Sequence, residues 1–438
     1  MKANNLPLRT HLGYGFGDLG QNLVFQSIAI FLLPYFTEVM GLSPALAGII
    51  FLVARPFDGL TDPLMGYLAQ RHQSRWGRFR PFLLYAALPG AVCFYALFSA
   101  PSLSGNWTFA YALGMYLLFS LCFTAFNIPY GALTAVMTND YHERGKLTGF
   151  RMTFALIGGI IAGYVSPTLL GLEDGYQLMG GLYAAILVMC LLVAFFSVRE
   201  RSIESDQPQP SLKNSLQMLR NNRPFILITA TFACCFASAF AFSGMVQYYF
   251  TYYRHDQAGM SLALLCFSGG TAVSIPFWAW LARQIGKRSV LIAGLLISAL
   301  AYSLMFFLGA EETVLLWLIL GLHGLGNGAI AFASWAMPAD TIEYGEWQTG
   351  VRAEGITYGV YGVFLKIGMA IGSSLIGLGL SYVGYVAHAE QSAETLWGIR
   401  ALMTLLPAFF LLLALLCMSL YRLSPSLHAE IRQELAER

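Results

Sequence analysis

Apolar runs of about 20 residues recur from one end of the chain to the other, each long enough at about 1.5 Å per residue to cross a hydrocarbon core about 30 Å thick. Twelve can be drawn, over residues 11–37, 43–70, 81–100, 107–138, 146–170, 177–197, 224–253, 258–283, 288–308, 313–340, 355–385 and 397–422. They predict an all-α membrane protein with twelve transmembrane helices, embedded in a lipid bilayer. Composition agrees: 57% of the 438 residues are apolar and 11% are charged, against about 25% charged in a soluble chain, so a water-exposed body of this size has too little polar surface. The formal charge of +2 leaves no nucleic-acid footprint. The seven cysteines fall inside apolar stretches without metal-ligand or redox spacing and read as small packing residues. The first apolar run exceeds a signal-peptide core and lacks a small-residue cleavage site, so it is expected to remain as the first span.

Charge alternates across the connections. Placing the N-terminus, the even-numbered loops and the C-terminal tail on one side gathers 20 of the 25 Lys and Arg residues there; the opposite loops hold only Arg254, and Arg55, Arg151, Lys366 and Arg400 fall within spans. Basic connections stay cytoplasmic, so both termini are expected inside. The hydrophilic stretch 199–223 carries Pro208 and Pro210 and divides six spans from six. The expected domains are an N-terminal six-helix bundle over 1–198, a cytoplasmic linker over 199–223, a C-terminal bundle over 224–423 and a cytoplasmic tail over 424–438. Within the linker, Leu212 to Leu219 reads as a short amphipathic helix on the membrane face. Two echoes suggest duplication: PLMGYLAQR from Pro63 with PFWAWLARQ from Pro276, and Pro129 in NIPYGAL with Pro338 in AMPADTI, at offsets of 213 and 209 residues. Parallel six-helix halves of this kind hold a substrate site between them near the midplane and alternate access by rocking.

A charge at the centre of a span costs at least about 2.5–3.5 kcal/mol on insertion scales, so each one needs a partner, a water-filled cavity or a function. Asp58 and Asp62, four residues apart in the second span, lie one turn apart on one helix face. Like charges stacked in this way are stable only with a cation or proton beside them or basic groups opposite. Two readings follow: a Na⁺ or H⁺ coupling site, or structural ion bridges in which Arg55 and Lys366 neutralise the acids. Thr61 and Thr124 offer neutral oxygens that either complete a cation site or bond their own backbone. Arg151, in the fifth span, can present two parallel donors to vicinal hydroxyls or a carboxylate and is a candidate for substrate recognition. Lys366, in the eleventh, either pairs with the aspartates in the empty carrier and is displaced by cation or substrate, or ties the halves together permanently. Gln21, Asn22 and Asn127 can both donate to and accept from sugar hydroxyls; Tyr14, Tyr130, Tyr358, Tyr361 and Trp335 offer faces for a sugar ring, or simply pack. Asp18, about two turns into the first span, is open to a cavity role and a gate role.

Charge clusters in the loops of the basic side read as a gate. Arg71, Arg75, Arg78 and Arg80, with Glu143 and Arg144, belong to the first half; Asp340, Glu343, Glu346, Arg352 and Glu354 belong to the second. Salt bridges between the two groups would close that side and break as it opens, each alone being worth about 0–1 kcal/mol at a surface; the other reading is a topology signal alone. There is no Gly-rich phosphate loop with its Lys, and the seven histidines do not cluster with ligand spacing. Neither ATP-driven pumping, nor enzymatic chemistry, nor a cofactor is expected.

In order along the chain, YGFGDLGQN, FLVARPFDGLTDPLMG, SRWGRFRPF, NIPYGAL, DTIEYGEWQTGVRAEG and YVGYVAHAEQS resemble motifs of the glycoside–pentoside–hexuronide:cation symporters, a family of the major facilitator fold. The resemblance covers essentially the whole chain. It implies uptake of a sugar or glycoside by alternating access, driven by H⁺, Na⁺ or Li⁺, in a bacterial inner membrane. It implies that Asp58 and Asp62 are the acidic pair of the cation site, with Thr124 near the ion and Thr61 where melibiose-transporting members carry an asparagine that affects cation choice. Arg151 matches a sugar-contacting arginine, and Lys366 the eleventh-span lysine of the site. The chain is expected to function as a monomer.

Departures from the melibiose-transporting members bear on substrate. Their first-span Lys-Asp is here Gln21-Asn22, their fourth-span sugar-binding aspartate is Asn127, and its neighbouring tryptophan is Gly131. Their tenth-span sugar tryptophan aligns with Ala331, one turn before Trp335. Amides in place of two carboxylates leave Arg151 and Lys366 less neutralised, so a more positive cavity is expected. That favours an acidic sugar such as a hexuronide, with pentosides and neutral glycosides as competitors. Readings of another class are a passive facilitator, a lipid carrier or a non-transporting membrane sensor.

Overall fold

In lipid a backbone must satisfy its own hydrogen bonds, and each long apolar run does so as a helix. The computed structural model describes residues 6–99, 101–103, 105–138, 140–200 and 212–437. Helix α1 (Leu8–Ser27) runs on through π-helical turns at Ile28–Leu32 and Tyr35–Val39. Helix α2 (Pro44–Arg71) follows, then a third crossing broken at Ala86 into α3 (Arg80–Tyr85) and α4 (Ala87–Leu97). The first set closes with α5 (Asn106–Met137), α6 (Tyr141–Leu170) and α7 (Gly175–Ser197). A short α8 (Leu212–Asn221) leads into α9 (Arg223–Tyr248), which a π-helical turn extends through Tyr249–Tyr253. Then come α10 (Gln257–Ile285), α11 (Lys287–Phe306), α12 (Thr313–Thr349), α13 (Glu354–Tyr382), α14 (Ala393–Ser419) and α15 (Pro425–Glu437).

These helices make twelve crossings, six before α8 and six after it. Among the described residues, eleven helices are long and apolar enough to span a membrane on their own; the crossing that is not is α1. The reason is its inward face: Thr10, His11, Asp18 and Gln21 are buried among neighbouring helices, so α1 is shielded from lipid. The echoing prolines fall at equivalent places, Pro63 and Pro276 inside the second crossing of each set and Pro129 and Pro338 inside the fourth. The first crossing of each set, α1 or α9, also ends in π-helical turns.

Two expectations need correction outside the bilayer. The tenth crossing continues to Thr349 rather than ending at 340, because its polar end is supported by protein. Met218 and Leu219 of α8 are buried, and the side chain of Met218 packs on Gly345 of α12. Asn222 caps α9 and donates to the Thr341 carbonyl at 2.6 Å. The linker helix therefore turns Met218 and Leu219 to protein and leaves Leu216 exposed, rather than lying with its whole apolar side on the membrane face. The tail forms α15, held to α12 by His428 Nε2 on Glu343 and by Trp347 Nε1 donating to Glu434, each 2.7 Å. Residues 201–211 of the linker, with Pro208 and Pro210, lie outside the described residues.

An even number of crossings leaves both chain ends on one face, here the terminal face. The two sets meet along α2–α13 and α6–α10, and on the far face they are sealed. Ser374 Oγ donates to the Gly48 carbonyl at 3.0 Å, and a Cβ on Gly377 would stand 2.8 Å from the Gly48 Cα, so the helix backbones touch. Thr37 and Tyr248 share a 2.6 Å hydrogen bond, and Gln247 Nε2 donates to the Tyr176 hydroxyl at 2.7 Å. Glu38, at the end of the π-helical extension of α1, is the hub: Tyr252 donates to its carboxylate at 2.9 Å, Tyr385 donates to it as well, and the His388 ring meets its carbonyl at 2.6 Å.

Candidate functional site

The charges within the spans converge on the seam between the two sets. On α2, Asp62 is fully engaged: Thr124 Oγ1 of α5 donates to its Oδ1 at 2.9 Å, and Lys366 Nζ of α13 donates to its Oδ2 at 2.5 Å. The Lys366–Asp62 pair crosses from one set to the other, and both side chains keep access to solvent. One turn away Asp58 is differently placed. Its Oδ2 lies 3.8 Å from Arg55 Nη1, and its Oδ1 is buried without a hydrogen-bond donor. Thr61 donates to the Asp58 backbone carbonyl at 3.2 Å, so of the two threonines only Thr124 reaches a carboxylate of the pair.

Arg151 of α6 is not open. Its Nε donates to Asp18 Oδ2 at 2.5 Å, and its guanidinium lies over the rings of Tyr14 and Tyr130, 5.5 and 4.9 Å from their centroids. Tyr130 also donates to Asp18 Oδ2 at 3.1 Å, and Tyr14 donates to the Tyr130 carbonyl at 2.7 Å. The buried knot ties α1, α5 and α6 together. Between it and the acidic pair, Asn127 Nδ2 donates to Gln21 Oε1 at 2.7 Å, while the buried Gln21 Nε2 has no acceptor. Asn22 turns back to the Asp18 carbonyl at 3.0 Å.

The expectation of a more positive cavity does not hold for this arrangement. Asp18 supplies the counter-charge that the amides at Gln21, Asn22 and Asn127 do not, so Arg151 faces Asp18, Lys366 faces Asp62 and Arg55 faces Asp58. Two aromatic candidates are also apart from this cluster. The Tyr361 hydroxyl donates to the Ser334 carbonyl at 2.9 Å, and Trp335 is exposed on α12.

The expected gate bridges between the halves are replaced by pairs within each half. Glu143 accepts from Lys146 at 2.7 Å and faces His11 at 3.3 Å, and Arg144 donates to the Thr138 and Ala135 carbonyls at 2.9 and 3.0 Å. Arg75 stacks on Trp76, and the Arg78 backbone N–H donates to Glu200 at 2.7 Å. Across the seam Asp340 is held by Lys287 at 2.7 Å, and Arg352 by Glu346 at 2.9 Å and Glu354 at 2.5 Å. The hydrogen bonds to Glu354 and the charge of Glu346 raise the Arg352 pKa, so its charge is permanent. The sets are parted on this face, which leaves each charge to find a partner at home. Sequence reasoning missed the far-face hub altogether; the available signal was Glu38, an acid in a short outside turn.

The seam carries polar and charged groups and is closed on the far face. The family profile described as MFS/sugar transport protein matches residues 13–425. The chain belongs to that family. MFS denotes the major facilitator superfamily, in agreement with the motifs that resemble glycoside–pentoside–hexuronide:cation symporters. Among relatives of this MFS sugar transporter, YnaJ of Bacillus subtilis strain 168, described as an uncharacterized symporter, is 33% identical over 98% of this chain and 94% of its own. A glucuronide carrier protein homologue of Escherichia coli K12 is also 33% identical, over 99% of this chain and 96% of its own. The crystal structure of a point mutant of the nucleoside transporter NupG superposes with a TM-score of 0.69 at 14% identity, covering 94% of this chain and all of NupG. At that identity the likeness is one of fold: a major facilitator transporter of two six-helix halves.

Proposed function

We propose that this MFS sugar transporter is a cation-coupled symporter that imports an acidic sugar, of the hexuronide kind, with H⁺ or Na⁺ as its partner. The observation that carries the reading is the ion pair from Lys366 to Asp62 across the seam, with Asp58 one turn away. Residues 1–198 and 224–423 are the two moving bodies, the basic bias of the connections puts both termini and the terminal face in the cytoplasm, and one chain holds the whole site and acts as a monomer.

The coupling runs through competition for Asp62. Lys366 is held by a carboxylate that a cation also needs, and opposite charges about 4 Å apart attract by about 4 kcal/mol at an effective dielectric of 20. A proton or Na⁺ arriving at Asp58, Asp62 and the Thr124 hydroxyl displaces the ammonium. Freed Lys366 then needs a new counter-ion, and a sugar carboxylate supplies it, with Gln21 and Asn127 positioned for ring hydroxyls. Cation and anion enter together because each removes the other's competitor. That a similar protein is a glucuronide carrier homologue supports the acidic class of substrate.

Uptake by right-side-out vesicles under imposed Na⁺ or pH gradients tests this, across methyl glucuronide, a pentoside and neutral glucosides and galactosides. Accumulation of the uronide under one gradient, abolished in Asp58→Asn, is the expected result. Neutral glycosides accumulating while uronides neither enter nor compete would overturn the substrate. Equilibration without accumulation marks a facilitator, and absence of flux a sensor.

A further inference from the structure

Arg55 occupies the next turn of α2 on the face that carries Asp62 and Asp58. Side-chain exposure falls along this face from 24% at Asp62 through 12% at Asp58 to 5% at Arg55, so solvent entering from the terminal face stops there. The guanidinium carbon lies 5.4, 5.9 and 5.0 Å from the ring centroids of Phe25, Tyr116 and Phe240. Rings attract a cation but accept no conventional hydrogen bond from it. Nη1 is 3.8 Å from Asp58, while Nε and Nη2 are buried with no acceptor. Buried donors without acceptors are rare and costly, and a carrier that visits a second state can satisfy them there.

The cage is divided between the two sets. Phe25 and Tyr116 belong to the first and Phe240 to the second, and the rings of Phe25 and Phe240 meet edge to face at 5.8 Å. They form a plug across the seam on the far-face side of Asp58. Opening of the far face would carry Phe240 away with its own set and leave the unmet edge of Arg55 to the entering solution.

We propose that Arg55 receives the anionic group of the substrate in the far-face-open carrier, and that the Phe25–Tyr116–Phe240 cage closes over it once the carrier has turned. This rests on the acidic-sugar reading above and names the residue that selects that class from outside. The planar fork suits a carboxylate held by two parallel hydrogen bonds. Asp58 competes for the same guanidinium until a proton or cation neutralises it, so the cation binds first. After the turn the cation leaves, Asp58 recovers Arg55, Asp62 recovers Lys366, and the sugar is released.

Vesicles containing the full chain decide the matter with methyl glucuronide as probe and methyl glucoside as its neutral counterpart. KM is measured from the far face in right-side-out vesicles and from the terminal face in inverted ones. Arg55→Gln is expected to raise the far-face KM for the uronide about tenfold or more while changing the terminal-face KM by less than about twofold, and to raise the far-face KM for the glucoside by a smaller factor than that for the uronide. Arg55→Lys, which keeps charge without the fork, gives a smaller rise with the same asymmetry. An equal change on both faces, or no change, overturns the proposal. Should Arg55→Gln fail to reach the membrane, Phe240→Leu decides: with the plug ring gone the terminal-face KM for the uronide falls, and an unchanged or raised value overturns the proposal. A wild-type protein that does not carry methyl glucuronide instead overturns the acidic-sugar reading itself.

Discussion

Thr124 and Lys366 occupy both oxygens of Asp62, while Asp58 keeps one buried oxygen bare, so two identical side chains one turn apart have different chemistry. Removing the hydroxyl in Thr124→Val deletes a hydrogen bond to a charged acceptor, worth about 1.5–3 kcal/mol. The cation concentration that half-saturates uptake should rise about tenfold or more; a value unchanged from wild type would place the ion elsewhere. The knot around Arg151 gives a second outcome. Asp18→Asn strands a buried guanidinium and should cost about 3–5 kcal/mol, read as a lower unfolding midpoint of the purified protein. Adding Arg151→Gln should restore most of that stability without restoring transport, and stability lost equally in both variants would contradict the pairing. At this scale the sequence shows which side chains are out of place in lipid, since Asp58, Asp62, Arg151 and Lys366 each interrupt an apolar run. It also offers Arg55 and Lys366 as partners for the two aspartates, and both pairs form, but it does not show what answers Arg151: Asp18 and Arg151 are 133 positions apart, and no periodicity links them.

Between helices, the tightest approach across the seam is α2 on α13, where Gly48 and Gly377 let the backbones touch. Side chains inserted into packed contacts cost about 1–3 kcal/mol or more. Gly377→Leu should therefore pry the far face open and reduce accumulation about tenfold or more, while Gly114→Leu, on α5 with open space around it, should leave uptake near wild type. Similar losses in both would mean that general destabilisation, not this contact, is responsible. The positions of the crossings were readable from apolar length. The π-helical turns that end α1 and α9 were not, because widening a turn by one residue requires no particular side chain. The length of α12 was hidden for another reason: its last turns are polar, and they pack against α8 and α15 rather than in an apolar run.

The whole molecule is asymmetric between its faces. Across the far face, Glu38 gathers two tyrosines and a histidine from the opposite set; on the terminal face, the charged clusters bond within their own sets. Glu38→Gln weakens several charge-assisted hydrogen bonds at once and should shift the balance toward the far-face-open form about tenfold or more. A cysteine in place of Ser374, buried in the sealed seam, would report this as faster reaction with an impermeant maleimide added to right-side-out vesicles; an unchanged rate would remove Glu38 from the latch. The twofold plan was visible in the paired prolines and in the alternation of basic loops. Which face is shut was not, because both states use the same sequence and differ only in which partners are in reach.

The docking of α15 has a practical consequence. His428 and Trp347 fasten this last helix to the end of α12, so the C-terminus travels as part of the second bundle instead of trailing behind it. A fluorophore placed on the outer surface of α15, with a companion on the loop between α2 and α3, would act as a pair of calipers whose energy transfer tracks each turnover in real time.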